Sequence, residues 1–177
     1  MLYIGCFNVW NMWQQIYTFF RPYPAQQKVA ELLLQYGLRV QDDGVFCGPI
    51  ELSHAKVARA IGVDRRAVSS TIETIQAHEE LQPIFANLQP TSHLKEVASH
   101  MDWGVIEIIP VDASEPGILA AVADVVADAD ISIRQAVVDD YQITEEPRLF
   151  IVTETPLSGD IIASIRSCTG VKAVIAY

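Results

Sequence analysis

The chain has 177 residues, half of them hydrophobic, which suits one large domain or two small ones, each burying its own core. Three cysteines (Cys6, Cys47, Cys168) lie far apart with no C-x-x-C, and four histidines lack metal-ligand spacing; neither a disulfide framework nor a zinc site is suggested, a reducing cytoplasm fits, and no cofactor is implied. Net charge is −10, divided as −1 over residues 1–100 and −9 over 101–177, so the acidic second half repels nucleic acid and any DNA contact belongs to the first.

The opening "MLYIGCFNVWNMWQQIYTFF" is aromatic, but Asn8, Asn11, Gln14 and Gln15 interrupt it and no basic segment precedes it. It reads as neither a signal peptide nor a membrane span. A helix is expected from about Met12, itself a plausible initiator, which would leave residues 1–11 upstream of the native start. Arg21-Pro22-Tyr23-Pro24 ends that helix. "AQQKVAELLLQYG" places Val29, Leu32, Leu33 and Tyr36 at helical spacing, with Gly37 as its stop. "LRVQDDGVFCG" is a hairpin turning at Asp43-Gly44 and closed by Pro49. Ser53 caps a short helix to about Ala60, Gly62 breaks it, and Asp64 caps the next, to about His78. Residues 79–103 form a partly helical connector. From Gly104 the order becomes βαββαβ: a strand "VIEIIPVD", a helix over 117–129, strands over 131–143 and 148–156, a helix over 158–170 and a strand over 171–177. The fold class is therefore α+β: an N-terminal helical domain with a small hairpin (12–100), then a ferredoxin-like antiparallel sheet with two helices on one face (104–177). The stripes Ile118, Leu119, Val122, Val125, Val126 and Ile161, Ile162, Ile165 should lie on that sheet.

Within "HAKVARAIGVDRRAVSSTI", Val57, Ala58 and Ile61 line the inside of one helix, and Val68, Thr71 and Ile72 the inside of the next. Ala58 permits a close crossing, Gly62 makes the turn and Val63 fills the corner; these are the packing requirements of a helix-turn-helix. Its outer side carries Lys56, Arg59, Arg65, Arg66, Ser69 and Ser70, and residues 53–72 sum to +3 in an acidic protein. Such a face suits phosphates and base edges of promoter DNA. The competing reading is a helical bundle used for packing, with the arginines merely solvated.

"VDASEPGILAAVADVV" joins the first strand of the second half to its helix. A helix start offers unpaired amides, so a carboxylate fits there. Gly117 lets a ligand approach the backbone, Asp112 can hold an ammonium, and Ser114 can cap the helix or bind the ligand. A small amino acid supplies one charge for each end. Ordinary capping and turn chemistry explain the same residues without a ligand.

D-x-S-x-P-G-I-L after an apolar strand, within βαββαβ, resembles the ACT domain, a small regulatory module that senses amino acids. The likeness covers 104–177, including "ISIRQA" and "GVKAVIAY". It implies a ligand held between this turn and a neighbouring subunit, by Asp112, Ser114 and the backbone of Gly117, Ile118 and Leu119, with Ser132 facing them from the second strand. A serine-binding version of the domain has a histidine and asparagines at the positions of Asp112, Ser114 and Ser132, where this chain departs. From about residue 12 onward the chain resembles a family of archaeal regulators of amino-acid metabolism with an N-terminal helix-turn-helix and a C-terminal ACT domain, through "YPAQQKVAELLL", "IGVDRRAV" and "WGVIEIIPVDASEPGIL". That likeness implies a homo-oligomeric transcriptional regulator in which a small amino acid sets the spacing of two recognition helices, about one DNA turn (~34 Å) apart. The alternative is a regulatory subunit that controls a biosynthetic enzyme by protein contacts. No nucleophile motif or Gly-rich phosphate loop argues for an enzyme. Asp139-Asp140 and Glu145-Glu146 read as solvated ends of a strand connection.

Overall fold

The computed structural model describes residues 12–142 and 144–177; the proposed upstream segment 1–11 and Cys6 lie outside them. The chain divides into two compact units, one ending at Thr91 and the other running from Ser92 to Tyr177. Residues 92–100, grouped with the first half in the sequence reading, belong to the second unit.

In the first unit α1 (Met12–Phe20) and α2 (Pro24–Gln35) form as the prolines dictate. Pro24 takes the first helical position, where a missing N–H costs nothing. α2 buries Val29, Ala30 and Leu33, and ends as Leu38 N–H donates to Leu33 O (2.8 Å) and Gly37 N–H to Leu34 O (3.3 Å). The hairpin turns one residue earlier than expected. β1 (Arg39–Gln41) pairs with β2 (Gly44–Cys47), leaving Asp42-Asp43 as the loop and Gly44 inside the strand opposite Gln41. Asp42 takes φ +47°, which a short polar side chain tolerates. Gly44 lies under the Phe46 ring instead, and a Cβ there would sit 2.7 Å from it, so a larger residue would have to displace that ring. Nor does Pro49 close the sheet: β3 (Ile50–Leu52) adds a third antiparallel strand, with Leu52 opposite Val45. Three residues are too short to show a period in sequence.

α3 (His54–Ala60) and α4 (Arg65–Ala77) follow the expected bounds closely. Val57, Ala58, Val68, Thr71 and Ile72 are all buried, and the four apolar ones join Phe20, Leu33 and Val45 in one core. Gly62, at φ +67°, makes the turn between them. The stretch read as a connector is not a linker at its start: Leu81 and Phe85, at and within α5 (Gln82–Ala86), are fully buried, and Phe85 meets Phe20 edge-on at 6.4 Å.

In the second unit the elements run β4 (Gly104–Pro110), α7 (Ile118–Asp128), β5 (Ile133–Val138), β6 (Leu149–Thr153), α8 (Gly159–Arg166) and β7 (Val171–Ala176). All pairings are antiparallel, in the spatial order β5-β6-β4-β7. β4 is buried from Gly104 to Ile108, as a strand covered on both faces must be. Ile106 and Ile108 meet Val122 and Val126 of α7 and Ile165 of α8. Leu119, expected in that stripe, is exposed instead. The opposite face is covered as well, which corrects the expectation of one helical layer. Leu94, Ala98 of α6 (Lys95–Ala98) and Trp103 pack on Val105 and Val152. The pairing of β4 with β7 slips at Ile109/Pro110, where proline cannot donate to the ladder.

Candidate functional site

The helix pair α3–α4 is built from local signals. Asp64 accepts the Arg66 N–H (2.8 Å) and caps α4. Val63 N–H donates to Ala58 O (3.0 Å), locking the turn. Ser53 precedes α3 without a side-chain cap bond, so its hydroxyl does not play the expected part. Lys56, Arg59, Arg65 and Arg66 are exposed, and none of the four forms an ion pair among the described residues. Ser69 and Ser70 are half-buried. Ser69 is also engaged: its Oγ lies 3.1 Å from His54 Nδ1, while His54 Nε2 lies 2.9 Å from Asp43 O. A carbonyl only accepts, so Nε2 carries a hydrogen and donates to Asp43 O. His54 therefore ties the β1–β2 turn to α4, a link that its lack of metal-ligand spacing in sequence did not announce.

The β4–α7 corner differs from the expected site. Asp112 Oδ1 accepts both the N–H (2.9 Å) and the hydroxyl (2.7 Å) of Ser114, a closed local turn that holds the Asp112 carboxyl below its usual range. Ser114 does not cap α7. Gly117, at φ +95°, is the residue before the helix, and no side chain caps it. The first amides of α7 thus receive no side-chain oxygen. A cavity of about 140 Å³ opens beside them, walled by Ile108, Pro110, Ile118, Leu119, Val138 and Leu149, with Glu115, Asp139 and Arg148 also lining it. Gly117, Ile118 and Leu119 line this cavity; Asp112 and Ser114 do not. Ser132 is not brought to it. β5 and β4 run in the same direction, each antiparallel to β6, and Ile133 aligns with Thr153 and so with Gly104. Ser132 therefore sits at the far end of the sheet, about 20 Å away along a seven-residue strand. There its N–H donates to Glu154 Oε1 (3.1 Å). Gly170 closes the corner from the α8–β7 turn. Its carbonyl accepts the Val111 N–H (2.8 Å), its φ is +82°, and a Cβ would meet Ile118 Cγ1 at 2.8 Å.

No family model matches the chain, and no curated protein matches it. Among solved structures it is similar to a homoserine dehydrogenase from Thiobacillus denitrificans, at 18% identity and TM-score 0.33, over 63% of this chain and 27% of that one. It is also similar to E. coli AsnC, at 13% identity and TM-score 0.23, over 87% and 89% of the two chains. The chain thus spans about a quarter of the dehydrogenase. Likenesses of this strength carry no argument about function.

The sequence reading missed one charged cluster altogether. Glu107, on the sheet face opposite α7 and α8, is 2% exposed. It is held by Arg148 Nη1, by Lys95 Nζ (3.1 Å) and by the Tyr177 hydroxyl (2.7 Å). Lys95 Nζ also lies 4.4 Å from the Tyr177 ring centroid and 4.9 Å from that of Phe150. Burial alone would raise the Glu107 pKa, but the hydrogen bonds from Tyr177, Arg148 and Lys95 and the Lys95 charge outweigh it and bring it down to about 2. Arg148 bridges outward as well, to Glu146 (3.0 Å). The partners stand 12, 41 and 70 residues from Glu107 in sequence, so no local motif announces them. The paired acids of the β5–β6 connection are tied locally. Asp139 Oδ2 accepts the Arg148 N–H (3.1 Å), and Asp140 Oδ1 accepts that of Gln142 (2.8 Å). Among the described residues no three His, Cys, Asp or Glu side chains group as a metal site, and no helix is long and apolar enough to cross a membrane.

Proposed function

We propose that this chain is an amino-acid-responsive transcriptional regulator: residues 54–77 act as a helix-turn-helix on promoter DNA, and the second unit acts as an ACT-like sensor that also joins copies of the chain. The observation that carries the reading is the face of α3 and α4. Four cations stand exposed there, without acidic partners among the described residues, on a chain of net charge −10. In a protein that repels nucleic acid overall, such a local patch selects where a duplex can approach. Val63 and Asp64 fix the angle and start of α4, so Arg65 and Arg66 project from its first turn, next to amides that favour a phosphate.

The sensing half rests on the β4–α7 corner. Uncapped amides favour a carboxylate, apolar walls suit the body of a small amino acid, and Glu115 and Asp139 offer acidic groups for an ammonium. The site-residue set is thereby revised: Gly117, Ile118 and Leu119 are retained, Asp112 and Ser114 serve the turn, and Ser132 is set aside within one subunit. No catalytic role is part of this reading.

The experiment is a gel shift on the DNA upstream of the protein's own gene, with and without a mixture of the twenty amino acids. A retarded band whose intensity changes with the mixture supports the regulator. Absence of any shift at low salt, together with co-purification of a biosynthetic enzyme, favours the regulatory subunit instead.

A further inference from the structure

Charge is graded along the α3–α4 pair. Lys56, Arg59, Arg65 and Arg66 gather between α3 and the first turn of α4, against Asp64 alone, and that carboxylate is occupied by the Arg66 N–H. Two turns after Arg66, about 10 Å along the axis, the same exposed stripe carries Glu73. No cation follows before α4 ends at Ala77. The β1–β2 turn then sets two more acids beside that later stretch. Gln76 Nε2 donates to Asp42 O, and His54, 3.1 Å from Ser69 Oγ, holds Asp43 O at 2.9 Å. Ser69 and Gln76 also stand two turns apart, so the turn lies along α4 past Arg65 and Arg66 rather than over them. Both anchors grip main-chain oxygens. Asp42 and Asp43 are exposed, and neither carboxylate forms a hydrogen bond or ion pair among the described residues. The same holds for Glu73.

We propose that Asp42, Asp43 and Glu73 form an electrostatic fence that confines a DNA duplex to the first turn of α4 and the adjoining cations of α3. This deepens, and rests on, the helix-turn-helix reading above. A duplex carries one phosphate charge per ~1.7 Å of its axis, so any docking shifted along α4 toward Ala77 brings phosphates against these carboxylates. Exposed charges act over about 10 Å at moderate salt, so a duplex seated over Ser69 or Gln76 meets both acids of the turn. A duplex held by Arg65 and Arg66 stays clear of most of that repulsion. The fence reads no base. It removes docking positions in which only phosphates are contacted, and so widens the gap between specific and non-specific binding. Its charge is separable from the fold, because the turn is held through carbonyls. Asp42 sits at φ +47°, which Asn adopts as readily, so Asn there keeps the turn and drops the charge.

The test titrates labelled duplex with the full chain and follows fluorescence anisotropy, using DNA upstream of the protein's own gene and a scrambled duplex of equal length. Asp42→Asn/Asp43→Asn should bind the scrambled duplex about fivefold more tightly at low salt, the worth of two exposed like-charge contacts. The gain on the upstream duplex should be smaller. Both gains should fade as salt rises, because the repulsion they relieve is screened. Glu73→Gln should act in the same direction. Asp124→Asn/Asp128→Asn, at exposed positions of α7, makes the same change in net charge away from this face and should leave both affinities unchanged. If the Asp42/Asp43 variant binds both duplexes as wild type does, or gains no more than the α7 variant, the fence is overturned while the helix-turn-helix stands. A loss confined to the upstream duplex in Glu73→Gln would make Glu73 a reader of base edges and overturn its place in the fence. If neither wild type nor any variant retains either duplex at low salt, the helix-turn-helix reading itself falls, and the fence with it.

Discussion

Glu107 is the residue whose environment most constrains the second unit, because a carboxylate on a strand covered from both sides survives only if it is fully paired. Its folded pKa of about 2 lies below the ordinary 4.5. Stability from this group is therefore complete above about pH 4.5 and lost as pH falls toward 2. A melting-temperature profile should show wild type losing stability over that interval, whereas Glu107→Gln, lower at neutral pH, should lack this component of the fall. The glycines give a second residue-scale expectation. Gly62→Ala introduces a side chain at φ +67° into open space and should cost about 1–2 kcal/mol. Gly170→Ala meets the same backbone penalty and also Ile118, so its denaturation midpoint should fall further, by about 1 kcal/mol more. Neither Glu107 nor Gly170 was legible as special in sequence. Their partners are set by strand pairing, and only pairing brings residues so far apart in the chain to one place.

At the scale of elements, legibility tracked how local each signal is. Gly62 and Asp64 mark a turn and a cap within three residues, and α3 ends and α4 begins where those residues require. β3 escaped notice because three residues after Gly48-Pro49 show no alternation, and the hairpin register slipped because Asp42 rather than Gly44 takes the positive φ. Residues 92–103 read as a connector because their apolar members, Leu94, Ala98 and Trp103, make sense only against a sheet face already in place. Two expectations belong here. Asp64→Ala should cost about 1 kcal/mol by removing the α4 cap, measurable as a shift in denaturation midpoint. If both arginines touch phosphates, Arg65→Ala/Arg66→Ala should weaken duplex binding and flatten the dependence of log affinity on log salt by about 2, at little cost in stability because both side chains are exposed.

At the scale of the whole molecule, charge and chain order combine. The acidic residues gather in the second unit, and the exposed cations of α3 and α4 belong to the first, so under the proposed reading any duplex would approach the first. The β4–α7 corner was legible as a place, through its Pro-Gly turn and the helix start. It was not legible as a set of contacts, because the cavity walls Val138 and Leu149 come from β5 and β6 and Pro147 from the connection between them, and the residue-by-residue register that brings them together is not written in the sequence. The most direct measurement is fluorescence anisotropy of labelled upstream duplex titrated with the intact protein, in the presence and absence of an amino acid that raises its melting temperature. The account predicts salt-sensitive binding whose affinity changes at least fivefold on adding that amino acid, the size of a typical coupling. Affinity for the duplex that is identical with and without it, or absent at low salt in both, would contradict the account.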